Sequence, residues 1–212
     1  MHLYDFARPE MEPFVPATAR TVLDVGCSTG KFGEPLVARG CEVVGIEPDE
    51  SAAELARQRL SRVIVGTFPE SAAAVARPGG YDAVVYNDVL EHMTHPERAL
   101  AATRDLLAPD GVLVASIPNV RHVTALGPLL VRGDWTYTDV GVLDRTHLRF
   151  FTRRSIVALF TDAGWTIEQL VGINRCRHPA VGDTRALRTL SRLSGGRTDA
   201  FFYLQYAVVA RP

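Results

Sequence analysis

From Thr21 to Ile117 the chain alternates short, nearly continuous apolar runs with segments of helical spacing. The apolar runs are Thr21–Val25, Glu42–Glu47, Arg62–Val65, Tyr81–Tyr86 and Val112–Ile117. Between them lie helical stretches: Lys31–Arg39, ended by Gly40; the Ala-rich Ser51–Leu60; a short one near Glu70–Val75; and Pro96–Leu107, ended by Pro109-Asp110-Gly111. Strands that are apolar on both sides must be covered on both sides, and the intervening helices supply the cover. The expected fold is therefore α/β, a Rossmann-like, mostly parallel sheet with helices on both faces. After Ile117 the rhythm changes. Arg121–Arg149 carries Gly127-Pro128, Gly133 and Gly141 and reads as an irregular insert or lid. Arg153–Ala163 reads as a helix stopped by Gly164. Trp165–Ile173 and Phe201–Ala210 read as strands with only the short Thr184–Leu193 helix between them, an arrangement suited to antiparallel pairing at the end of the sheet.

A length of 212 residues fits one domain over 1–212, with the insert at about 121–149 and a C-terminal helical insert at about 177–197. The 23 basic and 24 acidic residues leave a net charge of −1, which provides no general field for nucleic acid. Cys27, Cys41 and Cys176 form no paired motif, so neither a disulfide framework nor a zinc site is expected. No apolar run is long enough to span a bilayer and the N-terminus lacks a signal-peptide core, so the expected location is the cytoplasm. Thr184–Arg197 combines Leu187, Leu190 and Leu193 with four arginines and reads by default as a solvated amphipathic helix, with a lid, an anion-facing patch or a homodimer contact as its alternatives.

In an open parallel sheet, ligands bind beyond the carboxyl ends of the strands. The loop there reads Asp24-Val25-Gly26-Cys27-Ser28-Thr29-Gly30-Lys31-Phe32-Gly33. A dinucleotide loop needs Gly where Ser28 or Phe32 stands, depending on which glycine starts the count. A P-loop needs Ser or Thr where Phe32 stands. Both are disfavoured, and a compact ligand without a pyrophosphate fits better. Glu47 closes the second strand at the distance where nucleotide folds carry a ribose-binding acid. A carboxylate accepts hydrogen bonds from two hydroxyls at once, so a nucleoside-type ligand is indicated.

Four segments in order then resemble the motifs of class I S-adenosylmethionine-dependent methyltransferases. They are Val22–Gly30, Val43–Pro48, Tyr81–His92 and Leu106–Leu113. Ser116–Val120 and Leu143–Thr152 further resemble a bacterial subgroup associated with glycan or secondary-metabolite pathways. The resemblance implies a seven-stranded sheet with an antiparallel last strand, and S-adenosylmethionine as cofactor with S-adenosylhomocysteine as product. It implies that Gly26, Cys27, Ser28 and Gly30 line the methionine portion and that Asp24 shapes the loop. It places the ribose hydroxyls on Glu47 and the adenine near Pro48. Asn87 and Asp88 would face the methyl-donor end. Ser28 replaces the usual Gly. Thr67 replaces an acid that often reads the adenine amine, which leaves Phe68 for apolar contact. Arg8 is a candidate partner of the cofactor carboxylate, with Tyr4 closing over it; packing of this segment on the sheet edge is the alternative.

Methyl transfer depends on holding donor and acceptor in line, and an oxygen acceptor must also lose a proton. His147, in the polar run Asp144–Arg149, is the leading candidate base, oriented by Asp144; a network anchoring the loop is the competing reading. His92 is a second candidate, with a helix-start role as its alternative. A metal set of Asp88, Glu91, His92 and His95 matches no strong motif, so no metal is expected and the cluster reads as helix-start chemistry. Trp135 and Tyr137 in the insert are candidates for stacking on a sugar or aromatic acceptor, with anchoring of the insert to the core as the more common role of such residues. The expected function is methyl transfer to oxygen of a small molecule or glycan. Transfer to nitrogen or carbon, and a cofactor-binding regulatory module without transfer, are the alternatives.

Overall fold

The computed structural model describes residues 5–176 and 198–212. In chain order the elements are β1 (Thr21–Val25), α1 (Gly33–Ala38), β2 (Glu42–Glu47), α2 (Glu50–Ala56), β3 (Arg62–Val65), α3 (Ala72–Val75), β4 (Tyr81–Asn87), α4 (Pro96–Arg104), β5 (Leu107–Pro118), α5 (Val123–Arg132), α6 (Arg153–Asp162), β6 (Thr166–Arg175) and β7 (Tyr203–Arg211). One seven-stranded sheet forms in the order β3-β2-β1-β4-β5-β7-β6. The pairs β3-β2, β2-β1, β1-β4 and β4-β5 are parallel, while β7 runs antiparallel to both β5 and β6. The Rossmann-like architecture and its antiparallel end agree with the reading of the chain.

The winding direction reverses between β1 and β4. β1 leads outward through β2 and β3, and β4 leads the other way. Their carboxyl ends therefore part at a crevice. Alternation along each strand divides the core in two. Leu23 and Val25 of β1 join Val84 and Tyr86 of β4 on one face, covered by Leu100 of α4 and by Ile156 and Phe160 of α6. Val22, Ala83 and Val85 point to the other face, covered by Leu36 of α1 and Ala56 of α2. Helices on both faces are thus required by the sequence pattern and present.

Local chemistry sets the helix starts. Asp49 accepts hydrogen bonds from the Ser51 and Ala52 amides at the head of α2. Thr152 and Ser155 form a reciprocal capping box at α6, with bonds of 2.9 and 3.2 Å.

Two expectations are corrected. The insert Arg121–Arg149 is not wholly irregular, because Val123–Arg132 is helical in spite of Gly127-Pro128. His122 caps it by accepting from the Thr124 amide, and Gly133 ends it in the left-handed conformation at φ +67°. The fifth strand begins at Leu107 rather than Val112. Leu107 pairs with Tyr81 and Val112 with Ala83, so Ala108–Gly111 is extra chain opposite Asp82, and the turn residues sit inside an interrupted strand. Tyr4 and the Thr184–Arg197 segment lie outside the described residues. No helix among the described residues is long and apolar enough to cross a membrane.

Phe160 is fully buried between α6 and the sheet. Phe160→Ala is expected to cost about 3–5 kcal/mol. Urea denaturation would show this as a lower midpoint at an unchanged slope.

Candidate active site

The site grows from the loop after β1. Gly26 has φ +71°, and a Cβ there would lie 2.7 Å from Val89 Cγ2, so both conformation and space require glycine. The Gly26 and Cys27 amides donate to Ile46 O at 2.8 and 3.1 Å, pinning the loop to the end of β2. One residue further on, Glu47 takes over. Its Oε2 accepts the Ser28 amide at 2.8 Å and its Oε1 accepts the Asp49 amide at 2.9 Å. Ser28 has φ +47°, which explains why glycine suits this position, and its bond to Glu47 offsets the strain. Gly30 does not line the cavity. A Cβ on it would sit 3.1 Å from the Ala56 Cα, so it serves packing on α2 rather than the ligand.

Asp24 is buried below this loop, with Oδ2 lacking a hydrogen-bond partner. Burial, and then repulsion from Glu47, push its carboxyl up to about 7. Burial chiefly, with Asp24 and Glu47 adding to it, also raises the Cys27 thiol, so Cys27 is an apolar wall rather than a nucleophile.

A cavity of about 1420 Å³ opens where β1 and β4 part. Arg8, Asp24, Gly26, Cys27, Ser28, Glu47, Pro48, Phe68, Asn87, Asp88, His92 and His147 all line it. Asn87 directs a buried amide to this wall, and neither its Nδ2 nor its Oδ1 has a partner. Phe68 is buried edge-on to Tyr86 at 6.1 Å.

Arg8 departs from its expected role. Its guanidinium bonds Asp88, Glu10 at 2.7 Å, Ser116 at 3.1 Å and Gln205 at 3.3 Å. Asp88 also accepts from Ser116 Oγ at 2.9 Å and from Gln205 Nε2 at 2.7 and 2.8 Å. The N-terminal segment is thereby strapped across the ends of β4, β5 and β7. The charge of Arg8 is engaged by the cavity wall before any ligand carboxylate arrives.

The far end of the cavity is built from Glu91, His92 and His147. Leu90–His92 forms a 3-10 turn after β4, and Glu91 is completely buried. The Glu91 backbone carbonyl accepts both the Leu148 amide at 2.9 Å and the Arg149 amide at 3.0 Å. This double bond pair brings the distant insert, and His147 with it, against the turn. His147 Nε2 lies 3.8 Å from Glu91 Oε1, and the two imidazoles meet edge to face at 4.7 Å. Asp144 does not orient His147 as expected; it accepts from the Thr146 amide and hydroxyl at 2.8 and 2.7 Å, and Val142 O holds His147 Nδ1 at 3.1 Å. Burial lowers the pKa of His147, so the ring is neutral at physiological pH. Burial, and next repulsion from Asp88, raise that of Glu91. Glu91 is no helix-start acid, because it faces the interior rather than α4. His95 stands at the α4 start, exposed and paired with Glu97. Trp135 packs edge-on to Phe150 at 5.3 Å and anchors the insert, while Tyr137 is about half exposed.

Ser116, Gln205 and Asn174 were not singled out from the sequence. They come from β5, β7 and β6: Ser116 meets Asp88 through the parallel β4–β5 register, Gln205 reaches it through the antiparallel β5–β7 pairing, and Asn174 donates to Gln205 at 2.6 Å. Glu91 carried a signal, an acid beside a histidine immediately after a strand, but its burial was not readable.

The comparisons with known proteins agree with this geometry. A family model described as a methyltransferase domain matches residues 2–170. The ubiquinone biosynthesis O-methyltransferase of Pseudomonas paraeruginosa is 32% identical over 161 residues, covering 73% of this chain and 68% of the relative. That of Psychrobacter arcticus is 30% identical over 164 residues, and the match spans 62% of its length. Among solved structures, a SAM-dependent methyltransferase from Archaeoglobus fulgidus superposes with a TM-score of 0.69 at 17% identity, covering 94% of this chain and 89% of that one. A plantazolicin methyltransferase solved with S-adenosylhomocysteine gives 0.61 at 15% identity, covering 91% and 77%. The chain belongs to the methyltransferase domain family. Its fold is shared with S-adenosylmethionine-dependent methyltransferases of known structure.

The Asp24 carboxyl yields a pH prediction. An unfolded Asp titrates near 3.9, about three units below the folded value. Between those values the folded state holds a proton that the unfolded state releases, so stability falls as pH rises from about 4 to 7. Asp24→Asn is neutral and close in shape. Without ligand, it is expected to gain about 2 kcal/mol over wild type on going from pH 5 to pH 8, at 1.36 kcal/mol per unit. Urea titrations at both pH values check this; an equal offset at each would show that Asp24 is ionised throughout.

Proposed function

We propose that this protein methylates an oxygen atom of a small hydroxylated molecule. The observation carrying this reading is the Glu91–His147 contact, which sets a neutral imidazole and an unsatisfied buried carboxyl in the same cavity as the Glu47-braced loop. The oxygen specificity printed in the names of the curated relatives supports it.

S-adenosylmethionine, when bound, supplies an electrophilic methyl group on a sulfonium. The residues present suit it. Glu47 would hold the ribose hydroxyls, since a carboxylate can accept up to four hydrogen bonds and bracing the loop uses two. Pro48 and Phe68 would flank the adenine. Gly26, Cys27 and Ser28 would line the amino-acid portion together with the unpartnered Asn87 amide. The acceptor hydroxyl would then lie at the Glu91–His147 end, opposite the loop. His147 Nδ1 must carry a hydrogen to bond the Val142 carbonyl, so Nε2 keeps its lone pair for activating that hydroxyl, most simply by taking its proton. Tying the insert to Glu91 O fixes acceptor and donor in one rigid frame, the main source of acceleration for an in-line displacement.

Incubation with labelled S-adenosylmethionine and a panel of phenolic, catecholic and sugar acceptors tests the reading. Label on oxygen of a hydroxylated acceptor is expected; label found only on nitrogen or carbon contradicts it. His147→Asn is expected to lower kcat by about 10²–10⁴-fold. Affinity for S-adenosylhomocysteine should stay within about threefold, well under the 1.4 kcal/mol of a tenfold change. Glu47→Ala should show the reverse emphasis, weakening S-adenosylhomocysteine binding by more than about tenfold in calorimetry, the loss expected of charge-assisted hydrogen bonds.

A further inference from the structure

Ahead of β1 the chain crosses the carboxyl ends of the strands, and residues 6–10 line the same cavity as Gly26, Ser28 and Asn87. The foot of this segment is fixed. Met11 is fully buried in the core cluster that also holds Val15, and its amide donates to Arg8 O at 2.9 Å. Arg8 is fixed at the ends of β4, β5 and β7 by Asp88, Ser116 and Gln205. Asp5 is held on the other side of the crevice, just beyond the loop after β1. It accepts the Thr29 hydroxyl, and its Oδ2 lies 2.8 Å from Lys31 Nζ. Asp5 and Arg8 thus grip opposite sides of the crevice between β1 and β4.

The two grips differ in kind. Arg8 bonds four side chains. From Asp5 to Ala7, by contrast, no backbone hydrogen bond joins the chain to another described residue, and Phe6 is 57% exposed. The Asp5 carboxylate is what ties these three residues to the loop. The Lys31 ammonium, and then the Thr29 hydroxyl, hold that carboxyl below its ordinary value, so it is ionised at neutral pH. The pair is open to water, with side-chain exposures of 38% for Lys31 and 22% for Asp5. An ion pair in such a position adds little to folding and breaks without disturbing the core.

We propose that the clasp of Asp5 on Thr29 and Lys31 gates cofactor exchange. Closed, it holds residues 5–7 across the end of the cavity that takes the amino-acid portion of S-adenosylmethionine. Its opening sets the rate at which the cofactor enters and S-adenosylhomocysteine leaves, while Arg8 stays in place as the hinge side. Asp5 is a positioning residue. It does not line the cavity and acts through the segment it holds. Removing the clasp therefore changes the rates in both directions and leaves the affinity nearly unchanged, because no ligand contact is lost. Product release through such a lid is a common limit on turnover. The inference rests on the placement of the cofactor between Glu47 and Asn87, and is independent of which atom receives the methyl group.

Surface plasmon resonance of S-adenosylhomocysteine over the immobilised whole protein measures both rates. Asp5→Ala is expected to raise association and dissociation each by more than about threefold, the scale of one exposed ion pair with its hydrogen bond, with Kd kept within about twofold. Lys31→Met is expected to act in the same direction to a smaller degree. Combining Asp5→Lys with Lys31→Asp is expected to restore slow exchange, a rescue that a loss of packing would not permit. Urea midpoints should not move, since the clasp lies outside the core. Wild-type rates in both single variants overturn the gate. So does faster dissociation at unchanged association, which would make Asp5 a ligand contact, and so does faster exchange accompanied by a lowered urea midpoint. Glu47→Ala separates the gate from the cofactor placement. If it leaves S-adenosylhomocysteine binding untouched, the placement fails and the gate with it. If it weakens binding while Asp5→Ala exchanges at wild-type rates, the gate alone fails.

Discussion

One carboxylate holds the ligand end of this fold together. Glu47 ends β2 and accepts the Ser28 amide from the loop after β1 and the Asp49 amide at the head of α2. Ser28 holds its left-handed conformation with this brace, and the same carboxylate ties the head of α2 to the end of β2. The parallel register makes the brace possible, because Val25 pairs with Ile46 and Glu47 then projects just beyond the strand end. The brace has a cost. Burial, and then the charge of Glu47, push the Asp24 carboxyl up to about 7.

The opposite end of the cavity depends on a different device. The Glu91 backbone carbonyl receives two amides from the insert, and its side chain is buried between the turn and His147. Backbone and side chain of one residue thus fix the insert and furnish the reactive wall. Arg8 and Asp88 close the flank between the two ends by joining the N-terminal segment to β4, β5 and β7. The cavity is accordingly walled by elements from both ends of the chain, with the sheet as the rigid part between them.

Much of this was legible before the structure. The alternation of apolar runs required a covered parallel sheet, and the pattern at Asp24–Gly33 argued against a pyrophosphate. Local signals failed where long-range contacts decided the outcome. Gly127-Pro128 reads as a break, yet capping by His122 and burial of Ala125 sustain a helix through it. Pro109-Asp110-Gly111 reads as a stop, yet the sheet absorbs it as extra chain between Leu107 and Val112. The sequence around Arg8 leaves a carboxylate partner and packing on the sheet edge both open, because its contact with Asp88 spans 80 residues. The grouping of Glu91 with His147 spans a comparable gap and has no spacing signature; His95, three residues from His92, was the neighbour that spacing favoured. At Gly30 the motif records that the residue is small but not which side its missing Cβ faces, and that side is α2.

These features give the cavity a direction, with nucleoside recognition at Glu47 and methyl acceptance at Glu91 and His147. A crystal structure with S-adenosylhomocysteine bound measures that direction most directly. The ribose hydroxyls are predicted on Glu47 and the sulfur turned toward the Glu91–His147 wall. A ribose held elsewhere, or a sulfur facing away from that wall, would contradict the assignment of the two ends.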